Sequence, residues 1–281
     1  MQTFVFIAVL FAALCHAGWN ALIKTGLDPL RATTLIALGA VTVALVLLPF
    51  AGLPSTAAWP WLVASMAIHV FYFAGLIEAY RAGDLGQVYP IARGAAPLMT
   101  ATAATIFVGE HLSVFGWAGI AALATGVLLL SARGGSGLAH LDRRAVGFAL
   151  FTAVTICAYS VVDGVGARAS GNAPGYTLSL FVGNGICLIL YALGREGTAA
   201  LKPLPHLWRR ALLGGAMQIM SYGIALWAMT LAPIAIVATL RETSVLFGTA
   251  IAVAMLKEPL KPVRIAAAVL IMAGLVAIRM A

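Results

Sequence analysis

Charge is scarce in this sequence: Asp, Glu, Lys and Arg together make up 9% of 281 residues. A soluble domain carries about 25% charged residues. There is too little polar surface here to cover a water-facing fold, so the soluble globular classes are excluded. Acids are scarcer than bases, nine Asp and Glu against seventeen Lys and Arg. Cysteine is nearly absent too. Cys15, Cys157 and Cys187 all lie inside apolar runs, which excludes a disulfide framework and reads as packing. Alternating strands of about ten residues, the mark of an outer-membrane barrel, are missing. So are a Gly-x-Ser-x-Gly elbow, a His-Glu-x-x-His helix and a Gly-x-Gly-x-x-Gly loop. No His, Cys and acid cluster has metal-ligand spacing. These absences argue against an enzyme and imply neither cofactor nor metal.

What is present is hydrocarbon. Hydrophobic residues make up 62% of the chain, and the mean hydropathy is +1.02. The apolar runs are near the ~20 residues that a bilayer requires of a helix. The sequence predicts an all-α integral membrane protein with ten transmembrane helices, near residues 3–24, 31–50, 59–81, 86–108, 113–132, 145–167, 174–194, 208–230, 233–256 and 262–280. The Met1-Gln2-Thr3 start has no basic region, so no cleavable leader is expected. No connection is long enough to fold alone, and the function is expected to reside in the helices.

The bases are unevenly distributed. Thirteen fall in connections on one side, from Lys24 and Arg31 to Lys261 and Arg264; only Arg168 and Arg279 fall on the other. This is a topology signal, not a nucleic-acid patch. It predicts a cell (inner) membrane protein with its basic loops cytoplasmic and both termini outside.

The chain also repeats. A shift of 148 residues carries Arg93 onto Arg241, Leu98 onto Leu246, Glu110 onto Glu258 and Gly126 onto Gly274. The expected units are two five-helix repeats, residues 1–132 and 143–281. Five is odd, so the second repeat is inverted relative to the first, an arrangement common in secondary transporters.

Certain residues carry a family resemblance: Val108-Gly109-Glu110-His111-Leu112-Ser113, Ala124-Thr125-Gly126-Val127, Leu256-Lys257-Glu258-Pro259-Leu260 and Met272-Ala273-Gly274-Leu275. With the two five-span halves they resemble the drug/metabolite transporter superfamily, in its EamA branch. The resemblance implies a carrier of small metabolites, amino acids or other organic compounds through a central cavity, commonly by proton coupling or exchange. It does not supply a binding site.

Candidate site residues come from the membrane-embedded polar groups. Arg93 lies about 10 Å into span four and Arg241 about 12 Å into span nine from the opposite face. An arginine there costs roughly 2.5–3.5 kcal/mol and usually faces a cavity or a partner. A planar guanidinium suits a carboxylate or phosphonate; the alternative is a salt bridge, with Glu242 or Glu78. His16, Trp19 and Asn20 share one helical face, and Tyr80, Tyr89, Tyr159 and Tyr222 complete the candidate substrate chamber. Glu242, His16, His69, Glu78 and Asp163 are candidates for proton coupling. Glu110 and Glu258, at span ends, read as caps or loop bridges.

The expected function is secondary transport of a small anionic or zwitterionic metabolite by alternating access, with the bilayer as solvent and proton or counter-substrate coupling. Two alternatives stay open on the residues alone. One is an organic-cation transporter, with aromatics caging a quaternary ammonium. The other is a non-transporting membrane subunit. Substrate identity, direction and oligomeric state are not set by these residues.

Overall fold

The apolar runs fold as helices because a chain in hydrocarbon must satisfy its backbone hydrogen bonds within each segment. The computed structural model describes residues 1–23, 27–82, 85–131, 143–256 and 262–281, with side chains at all of these except 23, 29, 74, 76–82, 85–90, 131 and 252–256. The helices are α1 (Thr3–Ile23), α2 (Pro29–Ala51), α3 (Trp59–Ala82), α4 (Leu85–Ala103), α5 (Val114–Ser131), α6 (Arg143–Ser170), α7 (Ala173–Glu196), α8 (Leu204–Leu231), α9 (Ile234–Arg241), α10 (Ser244–Leu256) and α11 (Pro262–Met280). No strand occurs among the described residues. Nine described segments are long and apolar enough to cross a membrane, and Val114–Leu130 is a tenth, shorter apolar helix. At 1.5 Å per residue α5 still spans about 27 Å. The protein is therefore a multi-pass helical membrane protein.

Two spans depart from plain helices. Span four passes into a π-helical turn at Ala104–Val108, which Gly109 closes in a left-handed conformation, φ 75°. Span nine is broken. α9 stops at Arg241, Glu242 and Thr243 form a tight turn, and α10 starts at Ser244. The amides of Glu242 and Thr243 reach back only three residues, to Thr239 (3.0 Å) and Leu240 (3.1 Å). The Thr243 hydroxyl donates to the Leu240 carbonyl at 2.7 Å. Side-chain hydroxyls that bind the local backbone compete with helix propagation, and three polar residues in a row concentrate that competition here. The sequence predicts a span over 233–256; the structure keeps one apolar crossing segment there, Ile234–Ile251, but breaks its helix in two.

Most packing crosses between the halves of the chain. α3 and α4 lie on α6, while α1 lies on α8, α9 and α10; α2 lies on α7 and α8, and α5 runs along α11. The α5–α11 seam is close enough to need glycine. A Cβ on Gly274 would stand 2.8 Å from the Gly119 carbonyl oxygen, and one on Gly119 would stand 2.9 Å from that of Gly274. Small residues let helix backbones touch in membranes, where dispersion does the work that water does elsewhere. Long side chains such as Phe4, Phe50, Phe107 and Leu190 point outward, as lipid-facing positions do.

One end of the bundle is tied by polar contacts. The Glu110 carboxylate accepts from the backbone amides of Ile234 (2.7 Å) and Ala235 (3.2 Å), capping α9. It also accepts from the Arg168 guanidinium at 2.7 Å, and Arg168 donates to the Met229 and Ala232 carbonyls at 2.8 and 3.1 Å. Beside it the Asn172 amide donates to the Ala51 carbonyl at 2.8 Å, and the Ser55 amide donates to that of Ser170 at 3.2 Å. The sequence reads Glu110 as a cap or a loop bridge, and it caps a helix from the other half of the chain.

Candidate functional site

Arg93 and Arg241 meet across the middle of the bundle. Arg93 projects from α4 in register with Ala96 and Thr100, and Arg241 ends α9 at the break. Between α4, α6 and α9 they line a cavity with Pro97, Tyr159, Ser160 and Glu242. It is small, ≈ 10 Å³, room for about one water. A drug-sized ligand needs several hundred cubic ångströms, so this conformation is closed around its centre.

The two arginines are not equivalent. Arg93 is 8% exposed and its Nε lies 2.9 Å from a Glu242 carboxylate oxygen. Its NH2 donates to the Ser244 hydroxyl at 3.1 Å and lies 3.3 Å from His16 Nε2. The turn at Glu242-Thr243 makes this possible. It directs Glu242 to α4 and sets Ser244 on the same guanidinium. Arg241 has no carboxylate within salt-bridge distance among the described residues. Its Nε is buried without a hydrogen-bond partner, and its guanidinium lies over the Tyr222 ring, 4.6 Å from the centroid. A cation on an aromatic face keeps part of its stabilisation while its N–H donors stay available.

An aromatic group adjoins the arginines. His69 stacks on Tyr159, with centroids 4.4 Å apart. Tyr72 meets Tyr159 edge-on at 5.7 Å, and Tyr159 meets Tyr222 at 6.2 Å. Behind them lies Asp163, with no exposure to solvent. Its carboxylate accepts from the Tyr222 hydroxyl at 2.5 Å and the Tyr176 hydroxyl at 3.0 Å. On α1, His16 meets Trp19 edge-on at 5.2 Å, and the buried Trp19 N–H has no partner. The Asn20 amide donates to its own helix, at the His16 carbonyl, 2.8 Å away.

Of the sequence candidates, Arg93, Arg241, Glu242, His16, Trp19, Tyr159, Tyr222, His69 and Asp163 gather around this centre. Asn20 has its amide turned to backbone. Glu78, Tyr80 and Tyr89 fall outside the residues whose side chains are described. The sequence reading did not single out Ser244 or Tyr176. Ser244 was findable, since it follows Glu242 by two residues in a polar break. Tyr176 sits thirteen residues after Asp163 on another helix, and sequence spacing carries no signal for such a contact. Among the described residues no group of three His, Cys, Asp or Glu could hold a metal.

No curated protein sequence matches this chain significantly. Several solved structures do match by fold. One, described only as "Crystal structure of protein", aligns over 99% of this chain and 96% of its own with a TM-score of 0.75 and 16% identity. That likeness concerns the fold alone. The model of the EamA-like transporter family matches residues 143–280. The chain, by this second half, belongs to the EamA-like transporter family, part of the drug/metabolite transporter superfamily.

Proposed function

We propose that the protein is a secondary transporter of a small anionic or zwitterionic metabolite, whose carboxylate, phosphonate or similar group is held by Arg241. The observation that carries this is the contrast between the arginines. Glu242 neutralises Arg93, while Arg241 keeps a buried N–H without a partner and has no carboxylate at salt-bridge distance among the described residues. A half-buried guanidinium without an anion is costly, and a substrate carboxylate compensates it bidentately. Trp19, with a second orphaned donor, supplies a further hydrogen bond.

The two repeats, 1–132 and 143–281, rock about this site as inverted halves. The reciprocal packing of α3 on α6 and α1 on α8, and of α4 on α6 and α1 on α9 and α10, supports this pairing. The basic connections are cytoplasmic, which puts the Glu110–Arg168 end outside. The described conformation is tied at that end, so the outer route is the closed one. Arg93 positions the broken span through Glu242 and Ser244, and Tyr222 orients Arg241.

The organic-cation alternative is disfavoured because the aromatic faces are already used, with His69 on Tyr159 and Arg241 on Tyr222. A passive subunit is disfavoured because such a scaffold has no need of charged and aromatic groups at its centre.

The test is a thermal-shift screen of purified protein against amino acids, organic acids, phosphonates and quaternary amines. A ligand at 100 times its Kd stabilises by about 2.7 kcal/mol. Carboxylates or phosphonates should stabilise the wild type and not Arg241→Met. Stabilisation by quaternary amines alone would overturn the reading.

A further inference from the structure

Asp163 is the one buried acid among the described residues with no cation at salt-bridge distance. It is fully buried, and no Lys, Arg or His lies within 4 Å of it among the described residues. Hydroxyls hold it: Tyr222 from α8 and Tyr176 from α7, with Ser65 of α3 beside them. The titratable and charged groups facing it are His69 from α3, these two tyrosines, and Arg241 from α9 across the Tyr222 ring. Arg93, from α4, is turned to Glu242. Tyr159, on its own helix, lies between His69 and Tyr222.

Tyr222 therefore has two tasks. Its hydroxyl donates to Asp163, and its ring face carries Arg241. We propose that Asp163 is a proton-binding site coupled to Arg241 through Tyr222, so that one proton and one anionic group bind together. Ionised Asp163 draws on Tyr222 and offsets the charge of Arg241 through the ring. When a proton from water adds to a carboxylate oxygen, the O–H bond forms, the negative charge disappears and Tyr222 loses its anionic acceptor. Arg241 is then uncompensated and takes the substrate's anionic group in exchange. His69 keeps its Nδ1 on the Ser65 carbonyl, 2.9 Å away, which leaves Nε2 as the second nitrogen to pass a proton. The inference rests on the anion reading of Arg241, and it makes transport of a monoanion electrically neutral.

The experiment needs no substrate, so its failure is distinct from failure of the ligand screen. An infrared pH titration of the full-length protein in lipid follows the carbonyl band of a protonated carboxylic acid. Subtracting the Asp163→Asn spectrum from wild type should isolate one titrating carboxyl, and the same band should survive Glu242→Gln. Two charges separated by a tyrosine interact by about one pH unit at an effective dielectric of ~20. In Arg241→Gln the band should therefore persist to about one pH unit higher. By reciprocity the proton then tightens anion binding about tenfold. Tyr222→Phe keeps the ring and loses the hydroxyl; its midpoint should also move, which serves if Arg241→Gln does not fold. A difference spectrum with no titrating carboxyl would overturn the assignment of the proton site. A midpoint unmoved in both Arg241→Gln and Tyr222→Phe would overturn the coupling.

Discussion

The Arg93–Glu242 pair allows a quantitative prediction. Its atoms are 2.9 Å apart, and the side chains are 9% and 6% exposed. At an effective dielectric of ~20 the gross attraction is about 6 kcal/mol, most of which offsets desolvation of the two charges. Removing one partner is a different matter, because the survivor stays buried without that counter-charge, at a cost of about 3–5 kcal/mol. Glu242→Gln and Arg93→Met should each lower the unfolding temperature of the detergent-solubilised protein by on the order of 10 °C. The double variant has neither charge to strand and should recover more than half of that loss. The assay is a double-mutant cycle on thermal unfolding, read by tryptophan fluorescence or size exclusion after heating. Singles within 2 °C of wild type, or a double whose loss equals the sum of the singles, would refute the reasoning. Arg93→Lys keeps the charge and should be the mildest change of the set.

Other outcomes follow from the same geometry. Arg241→Lys should insert normally, since both residues cost about 2.5–3.5 kcal/mol in the membrane, yet it should impair transport at least tenfold at matched expression, because lysine lacks the planar fork; full activity would move the anion site elsewhere. Glu110→Ala removes the cap of α9 and the partner of Arg168, a loss of about 1–3 kcal/mol, and should raise labelling from outside of a cysteine introduced at Ser160; unchanged labelling would show that this end is not a closure. Gly274→Leu should abolish stable expression because its Cβ meets backbone, not a side chain that can turn away, whereas Gly147→Leu, with open space around it, should express normally. Cysteines introduced at Ser55 and Thr198 should label from opposite sides of intact cells, with Ser55 outside; the reverse pattern would invert the topology.

Much of the architecture is visible in the sequence because membrane helices advertise themselves by length and hydropathy. α2, expected over 31–50, runs from Pro29 to Ala51, and α11, expected over 262–280, runs from Pro262 to Met280. The break in span nine was not visible as a break. Apolar residues flank it on both sides, and hydropathy averages over the Arg-Glu-Thr-Ser run that stops the helix. The site was half legible. Charged groups at membrane depth mark themselves by cost, which singled out Arg93, Arg241, Glu242 and Asp163. Their partnerships are contacts across 149 residues for Arg93 and Glu242, and across 59 for Asp163 and Tyr222. A sequence offers Glu78 or Glu242 to Arg93 on equal terms; the turn after Arg241 is what brings Glu242 to it.

The cross-half wiring has a consequence for how the molecule is made. α1, α3, α4 and α5 find their main partners among α6, α8, α9, α10 and α11, so the first half has little to pack on when it leaves the ribosome. Arg93 enters the bilayer 149 residues before Glu242 is synthesised. At roughly 5–20 residues per second the wait is about 7–30 s. During it Arg93 waits for Glu242, and the glycine face of α5 has no α11 to meet. The nascent first half is thus the state in which insertion errors and proteolysis should concentrate, and a slow stretch of translation in the second half should reduce the yield of this protein more than one in the first.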